Sequence, residues 1–96
     1  SFETKILDVI KKSIEQLNEV LTKEKKLVIK KTTPLIDEKS KLESIDIVNL
    51  FVNLEKNLKE KDNLVLTFDE ILENSDKLKT IGSLETFIKK KKDEKK

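Results

Sequence analysis

The sequence predicts an all-α fold: a small four-helix bundle of three longer helices and one short one, with a long loop between helices one and two. Three observations carry this expectation. Apolar residues recur at steps of three and four in three separate stretches, which marks amphipathic helices. Strand-like runs are limited to two triplets, Leu27-Val28-Ile29 and Leu64-Val65-Leu66, which at most form a minimal ribbon. Ninety-six residues, 35% apolar and 42% charged, make one domain with a thin core, so each helix must bury one face.

The first helix is expected from Phe2 to Leu21, where Phe2, Ile6, Ile10, Ile14, Leu17 and Leu21 keep helical spacing among Lys, Glu and Asn. From Thr22 to Glu43 the periodicity dissolves into Lys-rich sequence containing Thr32-Thr33-Pro34, where proline and its predecessor disfavour helix. A loop this long in a compact domain usually serves function, and Leu35, Ile36 and Leu42 give it apolar anchors. The second helix is expected from Ser44, read as its N-cap, to about Lys61, with Ile47, Leu50, Phe51, Leu54 and Leu58 on one face. A short helix follows over Phe68 to Asn74. The last starts near Ile81, with Thr80 as N-cap, and repeats at Leu84, Phe87 and Ile88.

Composition excludes several chemistries. The chain has no Cys and no His, hence no disulfide framework, no thiolate or imidazole metal site and no Ser-His or Cys-His nucleophile pair. It is therefore expected not to be an enzyme and to hold no metal. No apolar run approaches the roughly 20 residues of a membrane span, and no signal-peptide core opens the chain. The expectation is a cytoplasmic monomer without membrane insertion.

The formal charge of +2 resides in the C-terminal residues. Lys89 to Lys96 contains six lysines against Asp93 and Glu94, whereas residues 1–88 hold fifteen lysines against seventeen carboxylates. This divides the chain into a folded domain over 1–90 and a solvated lysine-rich tail over 91–96. All 21 basic residues are Lys. Without Arg for bidentate contacts, and with few aromatics for stacking, no nucleic-acid partner is expected.

The second helix carries more apolar residues than one core face needs. Ile45, Val48 and Val52 form a second stripe roughly 100° from the first, beside Asp46, Asn49 and Glu55. Exposed, it is a docking strip for a partner; covered by the loop or the third helix, it is core. Ser44 stands where the first backbone N–H groups of that helix favour a phosphate, although a serine in that position is most often a cap and nothing more.

Leu42-Glu43-Ser44-Ile45-Asp46, continuing through Val48, Leu50, Leu54 and Glu55, resembles the acyl carrier protein motif written L-G-x-D-S-L-D. Thr80-Ile81-Gly82-Ser83-Leu84-Glu85-Thr86-Phe87-Ile88 is similar to that family's T-V-G-D-L-V-x-x-I ending. Helix order agrees as well, so the resemblance spans roughly residues 2–90. It implies a carrier-protein bundle in which Ser44 receives a 4′-phosphopantetheine arm from coenzyme A through a separate phosphopantetheinyl transferase. Acyl intermediates then travel on the arm as thioesters to acyl-transferring or acyl-modifying enzymes of fatty-acid, polyketide or related biosynthesis. Matching recognition positions are Glu43, Ile45, Asp46, Val48, Val52 and Glu55. The chain departs from the motif in having Glu43 where the family has Asp, in lacking the preceding Gly, and in placing Asn49 and Lys56 where acids are common. Residues 43–62 are correspondingly only mildly acidic, which weakens steering toward basic partners. The alternative is a non-catalytic helical adaptor module, for which the stripe matters and Ser44 is dispensable. The cargo stays open among fatty acyl, polyketide and aminoacyl groups.

Overall fold

A computed structural model of the chain describes residues 5–94. Four α-helices pack into one globule whose radius of gyration is 12.6 Å, close to the roughly 12.5 Å of a compact domain this long. They are α1 (Ile6–Asn18), α2 (Ser44–Asp62), α3 (Phe68–Glu73) and α4 (Ile81–Glu94), with short 3-10 turns at Lys23–Lys25 and Ser75–Lys77. No strand forms among the described residues.

The apolar periodicity becomes the core. The first helix buries Ile6, Val9, Ile10, Ile14 and Leu17, and α2 buries Leu50, Phe51, Leu54 and Leu58 against it. The last helix closes the core with Ile81, Leu84 and Ile88. Helix α3 is only six residues long and buries Ile71 alone, leaving Phe68 and Leu72 exposed. It is fixed by a capping box, in which Thr67 Oγ1 accepts from Glu70 N–H (3.2 Å) and Glu70 Oε1 accepts from Thr67 N–H (3.0 Å).

The first two helices also share a buried polar contact. Asn57, almost fully enclosed, donates to Ser13 Oγ and Gln16 Oε1, each at 2.9 Å, and Ser13 Oγ donates to Val9 O at 2.9 Å. Burial of these groups is tolerated because each finds a partner, and the directionality of the bonds sets the register of the two helices.

The first helix is shorter than its apolar pattern. It ends at Asn18, whose side chain turns to hold the loop: Nδ2 donates to Leu27 O and Oδ1 accepts Leu27 N–H. Leu21 lies beyond the helix, half-buried, and Phe2 lies outside the described residues. The two apolar triplets do not form a ribbon. Leu27, Leu64 and Leu66 point into the core while Val28 and Val65 point out, so alternation docks each extended run on the helices. The one bridge among the described residues is antiparallel, between Pro34 and Thr80.

Around that bridge the long loop is fastened to the start of α4. Leu35 and Ile36 N–H donate to Lys79 O and Leu78 O, while Ile81 and Gly82 N–H donate to Thr33 O and Lys31 O. These bonds satisfy backbone groups that a docked loop would otherwise bury unpaired. Thr80 is the cap expected from sequence, with Oγ1 accepting Ser83 N–H at 3.1 Å.

The expected tail is a correction at 91–94, because α4 runs on through Glu94. Lysine is a good helix former, and two of these lysines meet carboxylates: Lys91 bonds Glu70 of α3, and Lys92 lies 3.2 Å from Asp62 at the end of α2. Lys95 and Lys96 lie outside the described residues.

Candidate functional site at the start of helix α2

The chain reaches α2 through Leu42, whose side chain is buried in the core. Leu42 N–H donates to Ser40 Oγ at 3.1 Å, which holds the approach. Glu43 then takes extended geometry (φ −87°, ψ 169°) and serves as the N-cap. Ser44 is therefore the first helical residue, one position later than read from sequence. Asp46 decides the register: its carboxylate accepts Glu43 N–H at 2.9 Å, the reach-back half of a capping box, while Glu43 O takes the first helical bond from Ile47 N–H at 3.0 Å.

This arrangement separates residues that the sequence groups together. Ser44 is exposed, and its hydroxyl bonds no other described residue. Asp46, four-fifths of a turn past Glu43 in chain order, is buried and acts as a capping group. Glu43 is exposed but engaged by Lys25 Nζ from the loop. That bond raises the Lys25 ammonium above its ordinary pKa. Neither acid beside Ser44 is unengaged. Glu55 is exposed and free of ion pairs among the described residues.

Of the two alternatives for the second stripe of α2, exposure is the one observed. Ile45 is 62% exposed, Val52 56% and Val48 37%, on a helix whose opposite face is closed. Val65, in the connection after α2, was not singled out by sequence; it is exposed and joins Val52, Glu55, Lys56 and Lys59 around a shallow cleft of about 340 Å³. Alternation in Leu64-Val65-Leu66 was the available signal. A cleft of about 630 Å³ lies between α3 and α4 beside Glu70, Phe87 and Lys91 and includes none of residues 43–55.

The second motif has a structural use. Gly82 comes so close to the loop that a Cβ there would stand 3.0 Å from Lys31 O and 3.3 Å from Lys31 Cβ. Glu85, one turn on, is buried between Lys89 (3.1 Å) and Lys31 (3.8 Å). Both residues hold the loop that leads to Ser44.

No described group of His, Cys, Asp and Glu is arranged to hold a metal ion, and no described helix is long and apolar enough to cross a membrane. No family model, curated protein or solved structure matches this chain.

Proposed function

We propose that this chain is an acyl carrier protein that bears 4′-phosphopantetheine on Ser44. The observation that carries the reading is the pairing of an exposed, unbonded Ser44 hydroxyl at the first turn of α2 with the outward stripe Ile45, Val48 and Val52 on the same helix. A transferase needs the hydroxyl free and a surface on which to dock beside it. The position also suits a phosphodiester, since the leading N–H groups of a 19-residue helix have no intrahelical acceptors.

In the modification, Ser44 Oγ bonds to the phosphorus that carries pantetheine, and the phosphoanhydride P–O bond of coenzyme A breaks, releasing adenosine 3′,5′-bisphosphate. The hydroxyl proton passes to a base, which on this reading the transferase supplies. The arm's thiol then supplies the sulfur on which acyl groups are carried as thioesters. Four helices, a docked loop and the capping of α4 by Thr80 accord with this reading. Ile45, Val48, Val52 and Glu55 meet partner enzymes, whereas Glu43 and Asp46 chiefly build the turn that presents Ser44.

Intact mass spectrometry of the purified chain after incubation with coenzyme A and a broad-specificity phosphopantetheinyl transferase tests the proposal. One added arm, mapped to Ser44, is the expected result. Failure with a transferase active on a control carrier, persisting in Glu43→Asp, would sink the carrier reading and leave the outward stripe to an adaptor role.

A further inference from the structure

Between residues 23 and 41 the loop holds seven lysines against three carboxylates. Four of them, Lys26, Lys30, Lys39 and Lys41, border a single concavity of about 260 Å³ whose remaining wall is Leu27, Val28, Thr32, Thr33 and Pro34. No carboxylate lines it, and none of the four lysines has an ion pair among the described residues. By contrast Lys25, Lys31, Lys89, Lys91 and Lys92 each meet a carboxylate. The nearest acids in sequence are Glu38, beside Lys39, and Glu24, Asp37 and Glu43, each two residues from one of the four lysines. Glu43 is engaged by Lys25, the Asp37 carboxylate accepts Lys39 N–H at 3.3 Å within its own turn, and none of these acids lines the concavity.

Both walls are held in place. Thr33 ties one turn together: its N–H donates to Lys30 O, its Oγ1 accepts Lys30 N–H, and the same hydroxyl donates to Val28 O. Leu35 N–H then fixes that wall to Lys79 O. The opposite wall is the Asp37 to Ser40 turn, closed by Ser40 N–H to Asp37 O at 2.9 Å. Four like charges around a fixed concavity repel one another and focus a positive potential within it, which a bound anion relieves.

We propose that this concavity binds a multiply charged phosphate group, with the lysines as cations, the Thr32 hydroxyl as a further donor and the exposed Val28 as an apolar wall. Its volume is below the usual range for a whole small-molecule ligand, so it accommodates the phosphate end of one. The proposal goes beyond the carrier reading and does not require a group on Ser44.

The test is an amide NMR titration of the full chain with inorganic pyrophosphate and, separately, with ADP. Both are expected to shift amides within residues 26–41 in a saturable, salt-sensitive manner. Lys39→Gln/Lys41→Gln should weaken binding roughly tenfold through loss of two screened charges, while Ser44→Ala and Lys90→Gln leave it unchanged. Tighter binding of ADP than of pyrophosphate would assign the site to a nucleotide; equal binding would assign it to free phosphate anions. Shifts spread equally over residues 89–92, absence of saturation, or affinity unaltered in the double variant would overturn the proposal. Failure of Ser44 to accept the arm leaves this result intact, because the titration reads a different surface.

Discussion

Asp46 accepts the Glu43 backbone N–H at 2.9 Å from within the first turn of α2, so Ser44 is presented between a cap and the carboxylate that closes it. The carboxylate also sits at the positive end of the helix dipole. Asp46→Ala should lower stability by about 1 kcal/mol, the usual cost of losing a cap, and slow arm loading by loosening the turn. Asp46→Asn, which keeps an acceptor oxygen, should recover most of the stability. Urea midpoints and loading time courses of the two variants check this; an Asp46→Ala protein as stable and as quickly loaded as wild type would remove Asp46 from the site's construction.

Ser44→Ala is the complementary case. The serine is the first helical residue and makes no capping bond, so its loss should alter stability by less than about 0.5 kcal/mol while abolishing modification. Thermal unfolding and intact mass of the same preparation separate these effects. An arm still attached in this variant would mean that the acceptor is another residue.

Val48→Asp and Val52→Asp should impair transferase docking with little unfolding, because the two side chains stand on the open side of α2. Leu54→Ala on the opposite face should instead cost about 2–5 kcal/mol, as buried leucines do. The comparison is a ratio of loading rate to urea midpoint for each variant. Collapse of the fold in Val52→Asp would place that residue in the core and erase the docking strip.

The second apolar stripe of α2 was legible in its spacing, whereas its exposure was not, because spacing alone does not say whether the loop or α3 covers it. That α2 begins at about Ser44 was legible, yet the register was displaced by one residue, because both Ser44 and Glu43 can cap and only the Asp46 reach-back decides between them. What the sequence concealed was pairing over distance. Nothing local to Lys25 points to Glu43 eighteen residues on, and Asn57 looks like a solvent residue until Ser13 and Gln16 arrive from α1. The lysine run misled for the same reason: its helix persists because Glu70 and Asp62, far back in the chain, come within reach.

Gly82 offers a test of the loop's attachment. Its N–H donates to Lys31 O at 2.8 Å and leaves no room for a branched side chain between α4 and the loop. Gly82→Val should therefore cost about 1–3 kcal/mol through overcrowding, despite the general gain expected on removing glycine from a helix. Hydrogen exchange should localise the damage to residues 31–36 and 78–82. Unchanged protection there would show that the loop does not depend on this close approach.

The contact of α3 with α4 should carry a pH dependence of predictable sign. The Glu70 carboxyl is held below its ordinary pKa of 4.5, chiefly by the hydrogen bond from Lys91 and then by that from the Thr67 backbone N–H. A carboxylate depressed in the folded state contributes stability above its unfolded pKa, and that contribution fades as pH falls through the folded value. Wild type and Glu70→Gln should therefore differ most near neutrality and converge at pH values below the ordinary glutamate range. Denaturant midpoints measured for both proteins from neutral pH into that acid region give the difference directly. A gap that stays constant with pH would assign the role of Glu70 to its uncharged contacts and its cap on Thr67, and remove the ion pair with Lys91 from the forces holding α3 in place.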